Sequence, residues 1–205
     1  MSTALGTRRA DQHRVERVTR DDLLRRIRAD RDRFDAIVSR VPPDRLADPV
    51  LRGGWSVKDV LAHIAWGERE GIGVARARAL VGSELWERSE DARNEAVVRA
   101  SRSLDGDEVL AEYEAAYSAY LAALEELSDE ELNDPSLFRD MSERIPGWLP
   151  WRVLYDPGHY AEHGQTIEEA LPSLHGQGAR ANPSADPRRR PTEPTGRHRP
   201  SRPPR

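Results

Sequence analysis

Apolar residues recur at steps of three and four along most of this chain, and nowhere alternate with period two for long enough to build a strand. Leu23, Leu24, Ile27, Phe34, Ile37, Val38 and Val41 form a first stripe. It opens at Thr19, with Asp22 three residues on in a capping-box pattern, and stops at Pro42-Pro43. A second helix begins at "WSVKD", where Ser56 and Asp59 repeat that pattern, and carries Val57, Val60, Leu61 and Ile64 inward. It is predicted to reach about Val81, although Gly67, Gly71 and Gly73 weaken its middle. A long connection over 83–105 reads as partly helical around Ala92–Ala100. Leu110, Tyr113, Tyr117, Tyr120, Leu124 and Leu127 then mark the clearest helix. After the loop "NDPSLFRDMSERIPG", a fourth helix is predicted from about Trp148 to Leu171. Trp151, Tyr155, His159, His163, Ile167 and Leu171 share its stripe. Four such helices predict an all-α four-helix bundle over residues 19–171.

The flanks read differently. Residues 1–18 are polar and predicted to be flexible. Residues 172–205 hold eight of the 15 prolines and few large apolar residues. Such a stretch buries too little surface to offset its ordering entropy, which predicts a disordered Pro/Arg-rich tail. That tail carries eight arginines against Asp186 and Glu193, a balance of +6. With the whole chain at −4, residues 1–171 are left at −10. An acidic bundle argues against nucleic acid or an anionic membrane as the main partner. "RRR" at 188–190 reads as a solvated basic tail, with non-specific nucleic-acid contact as the lesser alternative. The start lacks the apolar run of a signal peptide, so a cytoplasmic protein is expected. There is no cysteine, so any thiol chemistry takes its thiol from the substrate side.

The candidate chemistry lies in the histidines. His159 and His163 are one helical turn apart in "DPGHYAEHG", a spacing that lets two imidazoles share one metal ion. His63 is the one other histidine in a predicted helix, three residues after the inward Val60. Three neutral imidazoles with an open position suit Zn²⁺, Ni²⁺ or Fe²⁺. The competing reading is three hydrogen-bonded core histidines, and spacing alone leaves both open. "HYAEH" also fits the H-x-x-E-H zinc-protease pattern, but such enzymes need a larger scaffold and a distant carboxylate ligand. Glu162 stays a candidate base against the plainer reading of a solvated charge. Asp59 is a candidate partner for His63, with helix capping as its other explanation. Tyr113, Tyr117 and Tyr120 and the tryptophans 55, 66, 148 and 151 can line a pocket or simply fill core. Glu68 and Glu70 follow His63 closely, and surface charge accounts for at least one of them. Pro157-Gly158 implies either a fresh helix start with Asp156 as N-cap or a kink in a longer helix. The stripe back to Trp151 favours the kink.

"GGWSVKDVLAHIAWGERE" closely resembles the second-helix signature of the DinB-like bundles. "ARNEAVV", "LDGDEVLAEYEAAYSAYLAALEELSDEEL" and "HYAEH" resemble their ClbS/DfsB branch. The resemblance implies an up-down-down-up bundle with a divalent metal on three histidines, at the positions of His63, His159 and His163. It further implies S-transferases and isomerases that use a low-molecular-weight thiol, and self-resistance against an electrophilic genotoxin. The pair Pro157-Gly158 departs from the family, which has ordinary helix formers there. Two functions therefore stand. One is a metal-dependent enzyme of thiol transfer or hydrolysis on a small electrophilic molecule, in detoxification or stress resistance. The other is a non-catalytic bundle that sequesters a small hydrophobic molecule. Bundles with an exposed apolar face commonly pair, so a homodimer is a further expectation.

Overall fold

The structure, a computed structural model, describes residues 16–176. The expectations for residues 1–15 and 177–205 lie outside the described residues. Helices dominate, and no strand is present among the described residues. Thr19 opens α1 (Arg20–Val38) by accepting the Asp22 N–H at 3.1 Å. The return half of that box is missing, because the Asp22 carboxylate is taken by Arg25. Helix α2 (Val57–Ala77) has the full box: the Ser56 hydroxyl accepts from the Asp59 N–H, and the Asp59 carboxylate accepts from the Ser56 N–H at 2.8 Å. It ends before the predicted Val81, since Arg78 turns left-handed at φ 44°. Its guanidinium closes the end by bonding the Ala75 and Glu126 carbonyls and Glu131.

The long connection contains α3 (Glu90–Ser101), and α4 (Gly106–Glu125) follows with an Asp105–Glu108 capping box. Short helices α5 (Asp129–Asn133), α6 (Met141–Arg144) and α7 (Pro150–Leu154) lead to α8 (His159–Gly176).

Long-range contacts fix the directions of the four long helices. Lys58, at the start of α2, donates to the Leu104 carbonyl just before α4, and Arg78 meets Glu126 at the far ends, so α2 and α4 run parallel. Tyr155 meets Asp30, Phe34 packs on Tyr160, and Arg40 pairs with Glu168, so α1 and α8 are parallel too. Arg28 with Glu125 and Arg31 with Glu114 set α1 against α4. The order is up-down-down-up.

Two apolar clusters fill the bundle. Ile27, Leu124 and Trp151 belong to one, and Phe34, Leu61 and Ile167 to the other. Between them on α1 sits Arg31, 1% exposed. Its guanidinium lies 3.6 Å from the Tyr113 ring centroid and 4.2 Å from that of Tyr117. It pairs with Asp35 at 2.8 Å and Glu114 at 2.7 Å. Gly71 allows α2 and α4 to close, because a Cβ there would stand 2.9 Å from the Tyr120 ring.

The fourth helix differs from expectation at both ends. No continuous helix with a kink joins Trp151 to His159. Tyr155 is extended at φ −141°, and α8 starts afresh at His159. Pro157 disfavours helical backbone at Asp156 and has no N–H to donate. The Asp156 carboxylate instead accepts the Gly158 N–H, and the Asp156 carbonyl accepts the His159 N–H. At the other end, α8 passes Leu171 and Pro172 to Gly176. Leu174 is buried there, and His175 donates to the Arg40 carbonyl at 2.8 Å. The last residues of the segment predicted to be flexible are also tied down: Val18 exchanges two hydrogen bonds with Asn133, and the Glu16 carbonyl accepts from the Trp151 indole.

Candidate functional site

Helix α2 carries Val60, Leu61 and Ile64 into the core, and His63 shares its inner half. Helix α8 runs opposite, with His159 and His163 one turn apart on the face towards α2. Antiparallel packing brings the three rings together. The Nε2 atoms of His63 and His159 are 3.0 Å apart, and those of His159 and His163 are 3.2 Å apart. One ring nitrogen from each lies within 4.8 Å of the others. The fresh start of α8 places His159 in its first turn.

Burial, followed by the neighbouring histidines, pushes the His63 imidazole down to about 3. His163 is held down at about 4 by burial and then His159. Burial also lowers His159, opposed by the nearby carboxylates of Asp156 and Glu162. All three are therefore neutral at pH 7, the form in which imidazole ligates a metal. A tetrahedral set of nitrogens about 2.0–2.1 Å from a zinc ion stands about 3.3 Å apart, close to the two spacings found here. The donor set fits such an ion. The Nδ1 of His63 is buried with no hydrogen-bond partner among the described residues. Trp55 packs edge-on to His63 at 5.6 Å.

Other candidates separate clearly. Asp59 is consumed in the capping box and has no bond to His63. Glu162 is exposed on α8, beside the cluster rather than inside it. Tyr113 donates to Asp35, away from the histidines. Trp148 is exposed, and Trp151 is core. Trp55 and Trp66 stand by His63, while Trp86, which the helical pattern did not single out, lines a cavity there.

Two cavities meet at His159. One of about 300 Å³ is lined by His63, Trp66, Trp86 and Arg93, among others. The other, of about 230 Å³, reaches from His159 to Tyr120, Tyr155, Tyr160 and Glu68. Gly67 borders both, and a Cβ there would meet nothing within 4 Å. Glu68 is 6% exposed. Its Oε1 accepts the Tyr160 hydroxyl at 2.5 Å, and burial pushes the carboxyl up to about 7 against the pull of that bond and of Arg31. The available signal for Glu68 was position: it follows Ile64 by four on the inner stripe of α2.

The family profile described as "Mycothiol maleylpyruvate isomerase N-terminal domain" matches residues 27–157. The match includes His63 and stops two residues before His159. Two uncharacterized proteins of Mycobacterium tuberculosis, from strains CDC 1551 / Oshkosh and ATCC 25618 / H37Rv, are 40% identical over 43 residues. That stretch is 21% of this chain and only 17% of the length of those relatives. A crystal structure of an uncharacterised protein from Escherichia coli UTI89 shares the fold with TM-score 0.60 at 13% identity, covering 74% of this chain and 91% of that one.

Proposed function

The chain belongs to the mycothiol maleylpyruvate isomerase N-terminal domain family, a branch of the DinB-like helical superfamily, and on that premise we propose that it is a metal-dependent enzyme acting on a small electrophilic molecule. The reaction is thiol transfer or hydrolysis, with a low-molecular-weight thiol as co-substrate in the first case. The biological setting is detoxification or stress resistance, in line with the narrower ClbS/DfsB likeness of "ARNEAVV" and the α4 sequence.

The observation that carries the proposal is the meeting of three neutral imidazole nitrogens, from two antiparallel helices, at the junction of two cavities. His63, His159 and His163 hold the ion, with Zn²⁺, Ni²⁺ and Fe²⁺ as the fitting choices. A divalent ion held there supplies Lewis acidity, lowering the pKa of a water or thiol presented to it. The chain's own part is to keep the imidazoles unprotonated by burial, to orient them from two rigid helices, and to wall the space with Trp55, Trp66 and Trp86. Glu162, exposed beside His163, exchanges protons with solvent.

Elemental analysis of protein purified without a histidine tag tests this, on the wild type and His63→Ala. About one divalent ion per chain, lost in the variant, is expected. A wild type that is empty and takes up no added Zn²⁺, Ni²⁺ or Mn²⁺ refutes the metal centre. The histidines then belong to a cavity that sequesters a hydrophobic molecule.

A further inference from the structure

The 230 Å³ cavity holds a group the metal reading does not use. Glu68 lies on its wall, almost fully buried, and its Oε2 has no hydrogen-bond partner among the described residues. A buried carboxyl oxygen without a hydrogen-bond partner is costly. The tyrosines around it offer none. Tyr160 already donates to Glu68 Oε1, Tyr120 to the Leu154 carbonyl, and Tyr155 to Asp30. The polar groups on the cavity wall are then mostly acceptors: the Glu68 carboxyl, phenolic oxygens and the carboxylate of Asp156, with the His159 imidazole beside them.

Charge points the same way. Among the described residues Arg31 is the one cation near Glu68: its Nη1 lies 3.8 Å from Oε1 and has no hydrogen-bond partner there, while Nε and Nη2 are engaged by Asp35 and Glu114. Three carboxylates thus share one guanidinium. Among the described residues, no lysine or arginine lines the cavity itself. The space suits a fragment of a few heavy atoms rather than a whole ligand, given that pockets for complete small molecules run about 300–1,000 Å³.

We propose that this cavity is a subsite for a primary ammonium group, held by Glu68 Oε2 and the surrounding phenolic oxygens, on a substrate whose reacting atom lies at the histidines. The assignment deepens the function proposed above and rests on it for the reacting end alone. An ammonium has three donors and no acceptor, which matches a wall of acceptors. It also supplies the positive charge that the Arg31 cluster lacks. The substrate is accordingly an amine-bearing small molecule, with its amine a few bonds from the atom that reacts beside His159.

The test uses ethylammonium chloride as the probe, followed by amide chemical shifts of the full chain. Sodium chloride at equal ionic strength and ethanol serve as controls. Saturable binding of ethylammonium and of neither control is expected, with shifts centred on α2 and Tyr160. Glu68→Gln is expected to weaken it about tenfold or more, the scale of a lost charge-assisted hydrogen bond. Gly67→Leu fills the cavity mouth, improves helix propensity, and is expected to abolish binding without unfolding the chain. His63→Ala, which lines only the other cavity, is expected to bind the probe as the wild type does. Ethylammonium binding that survives both Glu68→Gln and Gly67→Leu, or that equals ethanol binding, overturns the proposal. Loss of metal with retained amine binding, or the reverse, tells failure of one reading from failure of the other.

Discussion

Replacing Glu68 by glutamine converts its buried position into a measurable pH dependence. The carboxyl is moved from its ordinary 4.5 to about 7 chiefly by burial, with Tyr160 and Arg31 pulling the other way. Between those values the folded chain holds a proton that the unfolded chain releases. Stability from this group is therefore complete below about 4.5 and lost as pH rises through 7. At about 1.4 kcal/mol per pH unit, the interval amounts to about 3 kcal/mol. Glutamine has the same shape, can still accept the Tyr160 hydroxyl, and does not titrate. Urea unfolding of both proteins from pH 4.5 to 8 isolates the term. The stability of the wild type relative to Glu68→Gln should fall by about 3 kcal/mol across that range. Parallel curves would show that Glu68 has an ordinary pKa, and hence that solvent reaches it. A difference of opposite sign would show that Arg31 outweighs burial and holds the carboxylate ionised. Either result shows that burial does not set the charge state of this carboxyl.

Two other outcomes follow from the same interior. Arg31→Ala strips the cation from Asp35, Glu114 and the buried Glu68 and empties the gap between two tyrosine rings; a loss of about 3 kcal/mol or more in urea unfolding is expected, and a loss under 1 kcal/mol would contradict the packing described. In metal-free protein, the depressed pKa values of His63 and His163 give stability that is present above pH 6.5 and lost as pH falls towards about 3 to 4, so the double variant His63→Ala/His163→Ala should show a flatter acid limb in thermal unfolding.

The sequence alone determined the helices and much of what lies inside them. Stripes at steps of three and four give a helix one apolar face, and that face has to be buried whatever its neighbours are. Ser56 with Asp59 fixed the start of α2 because a cap is a local hydrogen-bond exchange within four residues. The histidine spacing was legible for the same local reason: residues four apart share a face. Local pattern failed where a distant partner decided the matter. The stripe from Trp151 to His163 looked continuous, but Asp30, across the bundle, takes the Tyr155 hydroxyl, and Pro157 breaks the backbone between them. Leu174 extends α8 past Pro172 because there is core for it to fill. That His63 meets His159 depends on α2 and α8 being antiparallel neighbours, which no spacing within either helix states. Glu68 and Arg31 are the sharpest cases. Each sits on an inner stripe as a charge, and a charge on a sequence pattern reads as surface. Only the packing of α1, α2, α4 and α8 around them decides that Arg31 is sandwiched between two tyrosine rings and that, among the described residues, its Nη1 and one oxygen of Glu68 are both left without a hydrogen-bond partner.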